Sequence, residues 1–499
     1  MPVDTDAPQS GLSRALGQGL DTGSEVIPAS GPPNLSGVFS LPRSAWAWAL
    51  FQGVRDPYVV VVSIYIFAPY FATTVIGDPV RGQAVVANIT TVQGLILSLS
   101  APLLGAVVNR MGPRKPWLAA AVGLMTPLIA CLWFVTPTGG PPVLAVSAML
   151  VLILVLLVYT DVLHNALLSQ AATTAEAPIA SGLAYSLINA ISTLVLVTVL
   201  WAFVLPGKVN WPILPAAPLF GLSAAQHEPE RIVGPIVAAL MAIGVIPLFL
   251  FTPDAPKTGI RLKDAFIEGL QELRDTVKVL RGERNIAIYL GARMLYTDGK
   301  TALLAFGGLY AKGVMHWHVL EMLAYGILLS IFAVIGGFVG AWLDVTFGPR
   351  RAVMIEVVGS ILCVIGTVGM SLETIFYVIP WPSASHTPVW NGPMFRTLPE
   401  ILLLTVGFGT AVFVTAAYSS SRMLLTRLAP PDKIGSFFGL YALSGTATMW
   451  LGSMLVGVFT AVFHTQQSGF AAIAGLLFAG LIAMQFVRGG DAWDGGESA

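Results

Sequence analysis

The sequence predicts an all-α integral membrane protein with twelve transmembrane helices in two pseudo-symmetric six-helix halves. Three observations carry this. Of 499 residues, 55% are hydrophobic and only 10% charged, with mean hydropathy +0.78, whereas an ordinary soluble domain is nearer a quarter charged. Apolar stretches of about 20 residues recur, the length a helix needs to cross about 30 Å of hydrocarbon; strands of an outer-membrane barrel would alternate in much shorter segments. A loop motif that follows the second stretch also returns after the eighth.

Residues 1–44 are rich in Gly, Pro, Ser and Asp, lack an apolar signal-peptide core, and read as a disordered cytoplasmic tail. Six spans are expected at about 45–72, 84–108, 116–135, 142–168, 179–205 and 232–252, forming an N-terminal half over 45–252. Residues 253–285 hold the longest charged stretch of the chain. There Phe266, Leu270, Leu273, Val277 and Leu280 recur every three or four residues, which predicts an amphipathic linker helix on the cytoplasmic membrane surface. Six further spans follow at about 286–311, 319–343, 352–378, 399–425, 435–461 and 467–487, a C-terminal half over 286–488, before a second disordered tail at 489–499.

Lys and Arg set the orientation. With both termini cytoplasmic, the inside loops collect Arg110, Arg114, Lys115, the seven basic residues from Lys257 to Arg284, Arg350, Arg351, Arg422, Arg427 and Lys433. Arg81, Lys208, Arg231, Lys312 and Arg396 fall outside, fifteen against five by the positive-inside rule. The long Pro-rich outside loop at 206–231 receives no role, and the Ala-, Gly- and Val-rich style suits a bacterial inner membrane.

Zero net charge and the lack of a basic arm argue against nucleic acid as a partner. Cys131 and Cys363 fall inside apolar helices and read as small buried hydrophobes. No Walker motif, serine elbow or paired metal-ligand spacing occurs, and His316 and His318 in one short loop are weak evidence for a metal. An enzyme is disfavoured, and no metal or cofactor is called for.

The recurring loop reads GAVVNRMGPRKP at 105–116 and GAWLDVTFGPRR at 340–351. Two six-helix halves related by an axis along the membrane normal are the duplication of a major facilitator transporter. The motif resembles that superfamily's signature between its second and third spans. By that resemblance Asn109, Arg110, Arg114, Asp344, Arg350 and Arg351 are candidates for conformational gating. RMLYTDG, AFGGLYA, RLAPPDKIG and FFGLYALSG, within 292–314 and 419–457, are more specific. They resemble the UMF1 branch of the superfamily, the family of the vacuolar amino-acid effluxer autophagy-related protein 22. The resemblance implies amino-acid or small-metabolite efflux, and a vacuolar membrane as the alternative location. Where relatives carry Tyr-Asp-Trp-Ala-Asn-Ser, this chain has Phe51 to Asp56, with Gln52 at the acidic position.

Polar groups inside the spans mark the candidate site, because a charge at mid-membrane costs roughly 2.5–3.5 kcal/mol on insertion scales. Arg55 and Asp56 lie in the first span, where Pro57 interrupts the helix. They are either a self-neutralising pair packed on a neighbour or part of a cavity. Adjacent helical residues point about 100° apart, so a partner on another helix is expected. The seventh span offers Arg293, Tyr296, Asp298 and Lys300, with Asp298 at the depth of Asp56. Together with Gln52 these residues would form a charged wall binding a small zwitterion or organic ion. In the fourth span Asp161 and His164 share a face and are candidates for proton coupling, or else an interhelical contact. Ser419, Ser420, Ser421 and Arg422 read chiefly as a packing surface.

The expected function is secondary active transport of a small polar or charged solute by alternating access, with protons as coupling ion, in a monomer embedded in the bilayer. A lipid or lipophilic-compound exporter, and a non-transporting receptor or assembly factor, are the alternatives.

Overall fold

The computed structural model describes residues 41–173, 176–207, 212–381, 388–430 and 434–489. The tails at 1–44 and 489–499 fall almost wholly outside these residues, as do Lys208, Lys433 and the side chains of Asn109 and Leu273.

Among the described residues, eleven helices are long and apolar enough to cross a membrane. A twelfth, Arg284–Val314, is as long but carries Arg293, Asp298 and Lys300 in its middle. The first half comprises Arg43–Val75, Pro79–Val108, Lys115–Phe134, Val143–Ala171, Ile179–Val204 and Glu228–Phe251. After Arg284–Val314, the second half continues with Val319–Phe347, Pro349–Val368, Leu398–Leu428, Phe437–Phe463 and Gln466–Gln485.

Regular α-helix in the first span stops at Arg55, because Pro57 has no amide hydrogen for the ladder. Beyond it the chain winds as π-helix over Tyr58–Tyr65 and Phe71–Val75, with one α-turn at Phe67–Tyr70 between. The amides of Ile66 and Ile76 accordingly donate five residues back, to Val61 and Phe71, at 3.0 Å each. The second helix starts five residues before the expected 84, since Asp78 accepts the amides of Val80 and Arg81 and Pro79 takes the first helical position.

The ninth helix ends at Val368 and not at the expected 378. The Ser371 hydroxyl accepts the amides of Glu373 at 3.2 Å and Thr374 at 3.0 Å, and Thr374–Ile375 then pairs antiparallel with Ile379–Pro380. The apolar run there is a short hairpin, which composition alone does not distinguish from helix.

The two repeat loops share a backbone device. Gly112 and Gly348 end the second and eighth helices at φ 91° and 81°, each returning its amide to the carbonyl four residues back. Side chains other than glycine rarely adopt this left-handed region.

The halves meet tightly at the end of the bundle that carries the turn between the first and second helices. Gln83 donates to Thr460 at 2.8 Å and to the Gln466 carbonyl at 3.1 Å, and Gln466 returns a bond to Gln83 at 3.2 Å. A Cβ on Gly308 would overlap the Ile64 carbonyl oxygen. The linker helix, Leu262–Val279, lays Ala265 and Gly269 towards the second helix, with Gly269 against Ala106, and leaves Phe266, Leu270 and Val277 exposed.

Candidate functional site

A cavity of about 320 Å³ lies between the halves, midway along the first, second, fourth, seventh and eleventh helices. That is the lower end of the roughly 300–1,000 Å³ typical of small-molecule sites. Its wall is mostly apolar, with Val62, Phe67, Leu154, Leu157, Leu304 and Met449 contributing. Thr90, Gln93, Thr301, Tyr418 and Ser453 add hydroxyls and an amide, and Asp298 adds one carboxylate. Among the described residues, no lysine, arginine or histidine lines it. Of the seven residues expected in a charged wall, Asp298 lines this cavity; Gln52, Arg55, Asp56, Arg293, Tyr296 and Lys300 do not.

Asp298 is placed by a break in the eleventh span, where helix Ile434–Ala447 gives way to Leu451–Phe463. Its carboxylate accepts the Gly452 amide at 2.6 Å and so caps the second segment. A carboxylate favours a helix N-terminus because the amides there lack intrahelical acceptors.

In the first half Arg55, 4% exposed, reaches Asp56 at 2.6 Å and Asp161 of the fourth helix at 2.7 Å. The partner on another helix is Asp161. The contact with the adjacent Asp56 departs from the helical-geometry expectation: Asp56 keeps helical backbone angles, φ −72° and ψ −18°, and the long Arg55 side chain spans the offset. Gln52, also buried, accepts the Asp56 amide on its carbonyl at 3.2 Å. His164, fully buried, stacks on Trp48 with ring centroids 4.4 Å apart. Its Nε2 is 2.8 Å from the Trp48 carbonyl, which can only accept, so the proton sits on Nε2. Trp48 Nε1 donates back to the His164 carbonyl at 2.8 Å. Asp161 and His164 therefore sit on one helix but are held by different partners.

In the second half, Arg293 donates to the Tyr441 carbonyl at 2.7 Å and to Ser444 at 2.6 Å, and its guanidinium lies 3.4 Å from the Tyr441 ring centre. Tyr296 hydrogen-bonds Ser421 at 2.9 Å, and Tyr289 donates to the Ser421 carbonyl. Lys300 is fully buried, with Nζ 3.8 Å above the Tyr418 ring and 5.3 Å from that of Tyr296. Glu356 of the ninth helix, also fully buried, accepts from Ser420 at 2.8 Å. Sequence reasoning missed Glu356, though a lone carboxylate in the run VMIEVVGSILCVIG is the same signal that singled out Asp298.

The candidate gating residues lie at the loop ends. Arg110 forms an ion pair with Glu268 of the linker helix, and its carbonyl accepts the Thr258 hydroxyl at 2.5 Å. The amides of Arg114 and Lys115 donate to Asp254, at 2.8 and 3.1 Å, so a carboxylate following the sixth helix caps the third. Asp344 lies in the last turn of the eighth helix, where its carbonyl accepts the Gly348 amide at 3.1 Å. Arg350 reaches the Gln485 carbonyl at 3.3 Å, and Arg351 follows it in the first turn of the ninth helix. His318 caps the eighth helix in a reciprocal box with Glu321.

Among solved structures, a D-xylose-proton symporter superposes with TM-score 0.59 at 12% identity, covering 91% of this chain and 99% of that one. A nucleoside transporter, NupG, superposes with TM-score 0.55 at 14% identity over 89% and 99%. At this identity the likeness establishes the fold, that of the major facilitators. Among curated proteins, autophagy-related protein 22 of Saccharomyces cerevisiae is 24% identical over 209 residues, 40% of this chain and 35% of the relative. Autophagy-related protein 22-2 of Emericella nidulans is 27% identical over 211 residues, 42% and 33%. The matched stretch thus spans about a third of the length of these relatives. The family model described as "Vacuole effluxer Atg22 like" matches residues 90–490, and with most of its membrane region inside that match the chain belongs to this family, on a major facilitator fold.

Proposed function

We propose that this membrane transporter moves a small solute by alternating access, with the cavity at Asp298 as its binding site. The observation that carries the reading is the position of this cavity, walled by both halves and placed so that rocking about it would expose it to one side and then the other. The halves at 45–252 and 286–488 are the rocking bodies, joined by the linker at 253–285. Asp298 contacts the solute directly. Gln52, Arg55, Asp56, Arg293, Tyr296 and Lys300 stand outside the wall and set the local field. The paired loops with Asn109, Arg110, Arg114, Asp344, Arg350 and Arg351 latch the end opposite the Gln83 contacts.

The family's description as effluxers supports efflux, and the solute proposed is an amino acid or a similar metabolite such as the corresponding amine. Asp161 and His164 are the proposed proton-coupling groups, with protons as the coupling ion, in a monomer whose termini are cytoplasmic. A second reading, export of a lipophilic compound, is favoured by the apolar wall. Counterflow in proteoliposomes across amino acids, peptides, organic ions and lipophilic dyes tests both. Exchange of an amino acid supports the first, exchange of a dye alone the second, and no exchange by well-folded protein overturns transport.

A further inference from the structure

Resting on the transport reading, we infer that the cavity recognises a monocationic molecule with an apolar body, and that the ammonium is the only charged group it needs. The argument is the mismatch between this wall and a zwitterion. Asp298 offers the wall's one carboxyl group among the described residues, held in place by the Gly452 amide at 2.6 Å, so its position is set before any ligand arrives. Among the described residues, nothing cationic in the wall answers a ligand carboxylate. Arg293 is committed to Tyr441 and Ser444. Lys300 lies against the Tyr418 ring, which is itself part of the wall. Arg55 is closed on Asp56 and Asp161.

A zwitterion would bring its carboxylate into an apolar enclosure that offers only hydroxyls and an amide. It would lose hydration there and meet repulsion from Asp298. A cation lacking that carboxylate pairs with Asp298 without this cost, an ammonium through a charge-assisted N–H bond and a quaternary ion through charge alone. Its apolar body then covers Val62, Leu154 and Leu304.

Three probes that share a phenylethyl body and differ in their charged groups decide the matter: 2-phenylethylamine, 2-phenylethanol and L-phenylalanine. Binding to the full chain in nanodiscs, read as concentration-dependent protection from thermal unfolding, should favour the amine over the other two by about tenfold, the worth of one charged hydrogen bond. Asp298→Asn should bring the amine down to the level of the alcohol. Because that variant also alters the Gly452 cap, the ligand series on unaltered protein stands as a test by itself. Counterflow of trimethyl(2-phenylethyl)ammonium, which cannot lose its charge and cross the bilayer unaided, should occur with the parent chain. Amine and alcohol binding equally, or L-phenylalanine binding best, overturns the inference. Exchange of L-phenylalanine without exchange of the quaternary ion also overturns it while leaving transport intact. If neither these probes nor the wider panel exchange, the transport reading falls with it.

Discussion

Arg55 on the first helix stands 2.7 Å from Asp161 on the fourth, while Asp56, next in the chain, closes on the same guanidinium at 2.6 Å. One buried cation serves two carboxylates, so its removal and the removal of one carboxylate are unequal events. Arg55→Met strands both acids and should cost about 3–5 kcal/mol. Asp161→Asn leaves the Arg55–Asp56 pair and should cost no more than about 1.5 kcal/mol. Unfolding of the two variants in detergent measures the difference, and equal losses would show that the cation is not shared.

His164 is held by a ring stack and a hydrogen bond to Trp48. His164→Gln should therefore lower stability by about 1–2 kcal/mol. If it couples transport to protons, the same variant should also flatten the dependence of exchange on pH. An unchanged pH profile in a folded variant would assign coupling elsewhere.

Asp254 caps the third helix through two amides. Asp254→Ala should cost about 0.5–2 kcal/mol, the usual worth of an N-terminal cap. Asp254→Asn should recover part of that loss, since its amide oxygen still accepts. A neutral Asp254→Ala would mean that water replaces the cap.

Gly308 admits the Ile64 carbonyl where the halves touch. Gly308→Val should hold that end open. With Cys131 and Cys363 replaced by serine, a cysteine put in place of Ser63, which lines the cavity, should then react several-fold faster with an impermeant thiol reagent added from that side. Unaltered labelling would mean that the first helix shifts to absorb the side chain.

The spans were legible because length and apolarity are local properties. The seventh was found despite its three buried charges, since the apolar run TALLAFGGLY continues past them. The ninth was overrun because Leu372 to Pro380 is apolar enough for a helix, and only the Ser371 turn diverts it. At the site, the sequence marked which residues are costly to bury but not which way they face. Asp298 faces the cavity and Lys300, two residues on, lies against Tyr418. Asp161 as the partner of Arg55 joins positions 106 residues apart in sequence, and no local pattern encodes such a pairing. Pro57, by contrast, announced the interruption of the helix, though not that Arg55 and Asp56 would meet beside it.

The buried cations answered within their own half bear on how the protein is made. Arg55 meets Asp161 inside the first six helices, and Arg293 meets Tyr441 and Ser444 inside the last six. A ribosome delivering this chain would release the first helices into lipid with their costliest cation neutralised before the second set had been synthesised. Two separately expressed fragments would then each keep these arginines answered while apart.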